Sequence, residues 1–152
     1  MGYVEELRAL VGHRPLILVV SGMLIVDERE RVLLMERADT HDWGIVGGIM
    51  EPGETLEQTA RREVQEEIGL EVGNLTFLAM FSGPEFFSRY PNGDEVHPVL
   101  ALYTARYDGQ ELRLDPHEAL QTGFFAQDAL PQPLRPSIPH YLAAYRQAAG
   151  RA

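Results

Sequence analysis

This chain predicts a single mixed α/β domain over residues 1–152, and three observations point to it. Aliphatic, β-branched runs of strand length recur along the chain, and between and around them lie segments with apolar residues at helical spacing. At 152 residues the chain is long enough to bury about two-thirds of its unfolded surface as one domain. Neither repeats, low-complexity tracts nor linkers divide it.

The elements follow in order. Residues 3–11 carry leucine and valine at helical spacing, with Gly12 as the stop. Residues 16–26 are aliphatic and β-branched, hence a strand. The polar turn Asp27-Glu28-Arg29-Glu30 leads into a second strand over 31–36, which reads as a hairpin. Residues 43–50 form a short apolar strand in which Gly44, Gly47 and Gly48 allow close backbone approach. Pro52-Gly53 suits the central positions of a type II turn. Thr55 is placed to cap a helix, and Gln58 three residues on completes a capping box. That helix should run to Ile68 and end at a left-handed Gly69. Strands are expected at 75–81 and 96–107, the latter after the tight turn Pro91-Asn92-Gly93-Asp94, with shorter ones at 112–114 and 123–126. Ser137 should cap a closing helix over 138–148.

Composition narrows the function. No apolar run approaches the roughly 18 residues needed to span a bilayer, and residues 1–10 carry Glu5 and Glu6 instead of a basic leader, so neither membrane nor signal peptide is expected. The chain has no cysteine, which removes disulfides and thiolate metal sites and fits a reducing cytoplasm. A net charge of −10 argues against coating long nucleic acid, although an acidic protein still binds phosphates when a metal ion intervenes.

The predicted helix over 56–68 poses the chemical question. At about 100° per residue, Glu67 lies about 40° from Glu63 and Glu66 about 60° to its other side. Leu56, Ala60 and Val64 fall on the side of Glu67, so the acidic face borders the face that must pack on the sheet. Like charges at this spacing repel, and Arg62 alone does not balance three carboxylates. A helix reading RREVQEE is most often a solvated charged face. The alternative is a hard divalent cation, which takes oxygen ligands and leaves positions for water and phosphate.

The longer spacing decides between them. Gly48, five residues, Glu54, seven residues, then Arg62-Glu63-Val64-x-Glu66-Glu67-x-Gly69-Leu70 resembles the Nudix box of the Nudix hydrolases (MutT-like proteins) at every fixed position. The resemblance implies an α/β/α sandwich with a mixed β-sheet. It also implies Mg²⁺- or Mn²⁺-dependent hydrolysis of a pyrophosphate bond in a nucleoside diphosphate linked to another group. On it, Glu63, Glu66 and Glu67 become the metal-binding set, and Arg62 orients the glutamates through a salt bridge with Glu54. One departure is Val46, where the family often has proline before the paired glycines.

Outside the box, the family's general base varies in position. Glu118 is the first candidate, followed by Glu95, Asp94 and Glu85; Glu66 is itself another, and any of them is more often plain surface charge. Arg37 follows the second strand, where related enzymes present a basic residue to substrate phosphates. Phe86, Phe87 and Tyr90 suit either base stacking or, more simply, packing. Trp43 is expected in the core, and the five histidines have no ligand spacing. The expected substrate is a small nucleotide, ADP-ribose-like before nucleoside triphosphate or dinucleoside polyphosphate. A non-catalytic nucleotide-sensing module is the alternative class, and a homodimer the ordinary expectation for a soluble enzyme.

Overall fold

The structure, a computed structural model, describes residues 2–150. In chain order the elements are α1 (Tyr3–Val11), β1 (Leu16–Val26), β2 (Val32–Arg37), β3 (Trp43–Gly44), β4 (Val46–Ile49), α2 (Leu56–Ile68), β5 (Thr76–Phe81), a 3-10 turn (Pro84–Phe86), β6 (Ser88–Arg89), β7 (Glu95–Arg106), β8 (Ala119–Phe125) and α3 (Ile138–Ala148). All eight strands join one mixed sheet with the central order β3-β2-β1-β7-β5. β1 runs parallel to β7 along its whole length, from Leu16 opposite Val96 to Val26 opposite Arg106.

Alternation along the strands makes two cores. Leu24, Val26, Val32 and Leu34 point to the side covered by Ile138, Tyr141, Leu142 and Tyr145 of α3. Met23, Ile25, Leu33 and Met35 point to the other side, under Ala60, Val64 and Ile68 of α2. A sheet covered on both faces needs unbroken apolar strands, and β1 is buried at every position from Ser21 to Val26. The result is an α/β/α sandwich.

Four sequence expectations change. β1 and β2 pair only at Val26 opposite Val32, so the hairpin is confined to its turn. There the Asp27 carboxylate accepts from the Arg29 and Arg31 amides and from Arg31 Nε at 2.7–3.0 Å. β2 then leaves to pair with β8, while β4 takes its place against β1 between Val20 and Met23. The strand foreseen over 43–50 is split into β3 and β4, which pair with β2 and β1 respectively. Residues 112–114 form no strand. Their neighbourhood instead serves the end of α2: the Arg113 and Asp115 amides donate to the carbonyls of Ile68 and Glu67, at 2.8 and 3.0 Å. Those carbonyls have no partner within a helix, so capping them outweighs a strand ladder. The expected strand at 123–126 is β8, which begins earlier, at Ala119.

Candidate active site

α2 is fixed at both ends by the residues its sequence marks. Thr55 Oγ1 accepts from the Gln58 amide and Gln58 Oε1 from the Thr55 amide, closing the capping box. Gly69 ends the helix at φ 71°, a left-handed conformation that glycine adopts without strain. Ahead of it, Gly53 at φ 89° and the bond from the Glu54 amide to the Glu51 carbonyl make the turn out of β4. The Ser21 hydroxyl donates to the Leu56 carbonyl at 2.8 Å and ties the start of α2 to β1.

Glu63, Glu66 and Glu67 of α2 lie at graded depth. Glu67 is 3% exposed and accepts from the Gly47 amide at 3.0 Å. The Glu63 side chain is 16% exposed and that of Glu66 57%. Arg62 reaches Glu54, Glu63 and Glu66 but not Glu67. Its Nε and Nη2 donate to the two oxygens of Glu54 at 2.6 and 2.9 Å, and Nη1 donates to Glu63 at 2.8 Å and Glu66 at 3.2 Å. Nη2 also caps the Ile49 carbonyl, so Arg62 pins α2 to β4. Glu54 accepts further bonds from the Glu51 amide and the Thr59 hydroxyl.

The electrostatics divide these groups. Arg62 holds the Glu54 carboxyl down at about 2, against an opposing push from burial. Burial and the neighbouring Glu63 charge push Glu67 up to about 9. Glu63 is raised as well, by burial first and then by Glu66 and Glu118, with Arg62 opposing. Glu118 is raised by burial, with Arg37 opposing. Its loop hangs from the end of α2 through the bond of Asp115 to Glu67, so Glu118 acts on both Glu63 and Glu67. Arg37, at the end of β2, forms a two-pronged pair with Asp39 at 2.9 and 2.8 Å and lies 5.9 Å from the Tyr90 ring.

Among the described residues, no three acidic or histidine side chains are gathered closely enough to cage a metal ion by themselves. Arg62 draws Glu63 and Glu66 onto its own guanidinium. The donor chemistry nonetheless fits a hard divalent cation. Every donor is a carboxylate oxygen, and Glu63 and Glu67 carry a repulsion that a cation would relieve.

The other sequence candidates lie elsewhere. Asp94 is held by His13 at 2.7 Å and approached by Arg8, a clasp between α1 and the β6–β7 turn. Glu95 pairs with Arg89. Glu85 and Arg37 line an open cleft together with Gly47, Phe87 and Tyr90. Phe86 is core, tilted against Phe81 and edge-on to His140, and Trp43 is core, edge-on to Phe125. Val46 is fully buried under α2 and paired with Met23. One cleft residue had no signal in the sequence: Arg135, whose partner Asp42 is 93 residues away.

A sequence model of the NUDIX domain matches residues 16–145. The chain belongs to the Nudix family. Named relatives include the NAD-capped RNA hydrolase NudC of Chromobacterium violaceum, 36% identical over 82% of this chain and 44% of that protein. The NudC of Salmonella heidelberg is 32% identical over 74% of this chain and 41% of that one. The chain thus spans less than half the length of these relatives. Among solved structures, the MutT NUDIX hydrolase of Burkholderia pseudomallei superposes at a TM-score of 0.72 with 29% identity, over 85% of this chain and 98% of that one. The NUDIX domain of Shewanella oneidensis NrtR, solved with ADP ribose, gives 0.71 at 21% identity, a likeness of fold, over 98% and 99% of the two chains. The chain's likeness is to the MutT-like members of the Nudix family, a family that acts on nucleotides and generally uses divalent metals. Among its described residues, no helix is long and apolar enough to cross a membrane.

The Glu54–Arg62 pair gives this chain a definite acid response. The carboxyl titrates at about 2 in the folded chain against an ordinary 4.5, so its stabilisation is complete above 4.5 and is lost as pH falls toward 2. Glu54→Gln should cost about 2 kcal/mol at pH 7 by weakening these charged hydrogen bonds. Thermal melts of the two proteins should converge as the pH approaches 2; a gap independent of pH would contradict the assignment.

Proposed function

We propose that this Nudix hydrolase cleaves the diphosphate linkage of a nucleoside diphosphate joined to a second group, an ADP-ribose-like nucleotide, with Mg²⁺ as its cation and Mn²⁺ as a substitute. The observation that carries the reading is the buried Glu67 beside Glu63, two carboxylates set against the sheet, of which Arg62 bonds Glu63 but not Glu67. Glu63 and Glu67 are the inner ligands of this proposal, with Glu66 the outer one. When bound, the cation would polarise the phosphoryl oxygens and lower the pKa of water.

The chain's own residues supply the rest. Arg62 is a positioning residue that holds Glu63 and Glu66 in place, and Glu54 anchors Arg62 in turn. Arg37 donates to a substrate phosphate from the cleft wall. Glu118, its affinity for protons raised by burial, takes the proton of the attacking water. The water oxygen bonds to one phosphorus, the bond from that phosphorus to the bridging oxygen breaks, and the bridging oxygen leaves with the other phosphate. Glu66 is the second candidate for the base.

Two likenesses support a diphosphate joined to a second group. The relatives are named for NAD-capped RNA, and the NrtR domain was solved with ADP ribose. The net charge of −10 disfavours long RNA as a substrate and fits a small nucleotide, and the lack of cysteine fits a cytoplasmic setting. We read residues 1–152 as one catalytic domain. Product analysis with ADP-ribose, nucleoside triphosphates and dinucleoside polyphosphates in Mg²⁺ tests the reading. Release of a nucleoside monophosphate from ADP-ribose, faster than from the others, is expected. Turnover confined to triphosphates would overturn the substrate class, and folded protein inert toward the whole panel would favour the sensing module.

A further inference from the structure

The cleft is lined by β4 and by the segment that leads into α3. From β4 come Gly47, whose amide meets Glu67, and Ile49, whose carbonyl meets Arg62. From the segment before α3 comes Arg135. Arg135 is a built part of that wall. Its amide donates to the Trp43 carbonyl at 2.9 Å, and its guanidinium donates to Asp42 at 3.2 Å and to Thr40 at 3.3 Å. Its stem lies against Gly44, where a Cβ would come within 2.7 Å of Arg135 Cδ. The side chain is only 19% exposed.

Each cleft arginine is matched by an aspartate of the same loop, Arg37 by Asp39 and Arg135 by Asp42. The wall therefore offers directed N–H donors more than bulk positive charge. Among the described residues, Nη1 alone of the Arg135 side-chain nitrogens makes a hydrogen bond. Phe87, 39% exposed, and Tyr90 supply aromatic surface in the same cleft, and Glu85 supplies an acceptor. Aromatic faces with a held arginine suit a flat heterocycle that carries an acceptor atom on its edge. A purine offers N7 on its imidazole side, to which arginine donates, and guanine adds the adjacent O6.

We propose that Arg135 is a specificity-determining residue, donating from the cleft wall to acceptor atoms on the purine base of the substrate, a role that rests on the nucleotide reading above. The diphosphate then lies toward Gly47 and the carboxylates, and the base toward α3. Asp42 and Thr40 fix the donor so that little freedom is lost on binding.

The test uses ADP-, GDP-, UDP- and CDP-glucose, which differ only in the base, with wild type, Arg135→Ala and Arg135→Lys. Calorimetric binding of the four nucleoside monophosphates runs beside it and needs no turnover. Wild type should prefer purines, and Arg135→Ala should raise KM for them about 10- to 100-fold, with kcat and the pyrimidine values nearly unchanged. Arg135→Lys keeps the stem and one donor and should fall between. An equal loss on all four bases, a fall in kcat alone, or no purine preference in wild type would overturn the assignment. Should no sugar nucleotide be cleaved while purine monophosphates bind and Arg135→Ala loses them, the base site stands and the hydrolytic reading fails. Absence of purine binding sinks the base site whatever is hydrolysed.

Discussion

Glu67→Gln should leave a folded protein whose turnover is lower on the order of a thousandfold, the scale set by removing a charged group that stabilises a phosphoryl-transfer transition state. The amide matches the carboxylate in volume, and its oxygen keeps the bond from the Gly47 amide. Folding therefore has little reason to change, while an anionic ligand is lost. Glu63→Gln should behave alike, since its oxygen still accepts from Arg62. Glu66, more than half exposed, should matter less, with a loss of about tenfold unless it is the base. The ordering 67 and 63 before 66 is read from steady-state rates, with circular dichroism confirming the fold. Equal losses at all three positions would contradict the graded depth of the site.

The paired glycines should separate stability from activity. A Cβ at Gly47 would lie 2.5 Å from the Ser21 carbonyl oxygen and 2.8 Å from Gly22 Cα, both backbone of β1. Backbone does not move aside, so Gly47→Ala must part β4 from β1, at about 3 kcal/mol or more. For a chain of this size that is a fall in Tm of roughly 10 °C. A Cβ at Gly48 instead meets the carboxyl end of Glu63, a flexible group that swings away. Gly48→Ala should thus cost about 1 kcal/mol in stability yet reduce turnover at least about tenfold, because the displaced group is a ligand. Scanning calorimetry beside rate measurements checks both. A Gly48→Ala protein with full activity would show that the position of Glu63 does not matter to the chemistry.

The parts legible in the sequence were those whose causes are local. The capping box at Thr55 and Gln58 and the left-handed Gly69 are each set by a few neighbouring residues, so the bounds of α2 could be read directly. Helical spacing likewise placed Glu67 on the side of Leu56, Ala60 and Val64, and it is the most buried of the three box glutamates. What depends on pairing across the chain was not legible. The turn after β1 looks like a hairpin, but β4 competes for the same edge of β1 and takes it. Leu112 and Leu114 look like a strand, yet they face the α2 side of the core while the neighbouring amides cap the end of α2. Arg135 gains its character from Asp42, Thr40 and Gly44, all distant in the chain. Glu118 was reachable only because an acidic residue before a short strand fits the family resemblance; its raised affinity for protons follows from burial that the sequence does not display.

The most direct test of the account is binding of Mn²⁺ to wild type and to Glu67→Gln, followed by the loss of free-ion signal in paramagnetic resonance. Wild type should bind the ion without nucleotide, and Glu67→Gln should bind it at least about tenfold more weakly while remaining folded. Equal affinity in the two proteins would contradict the claim that the buried carboxylates of α2 hold the cation.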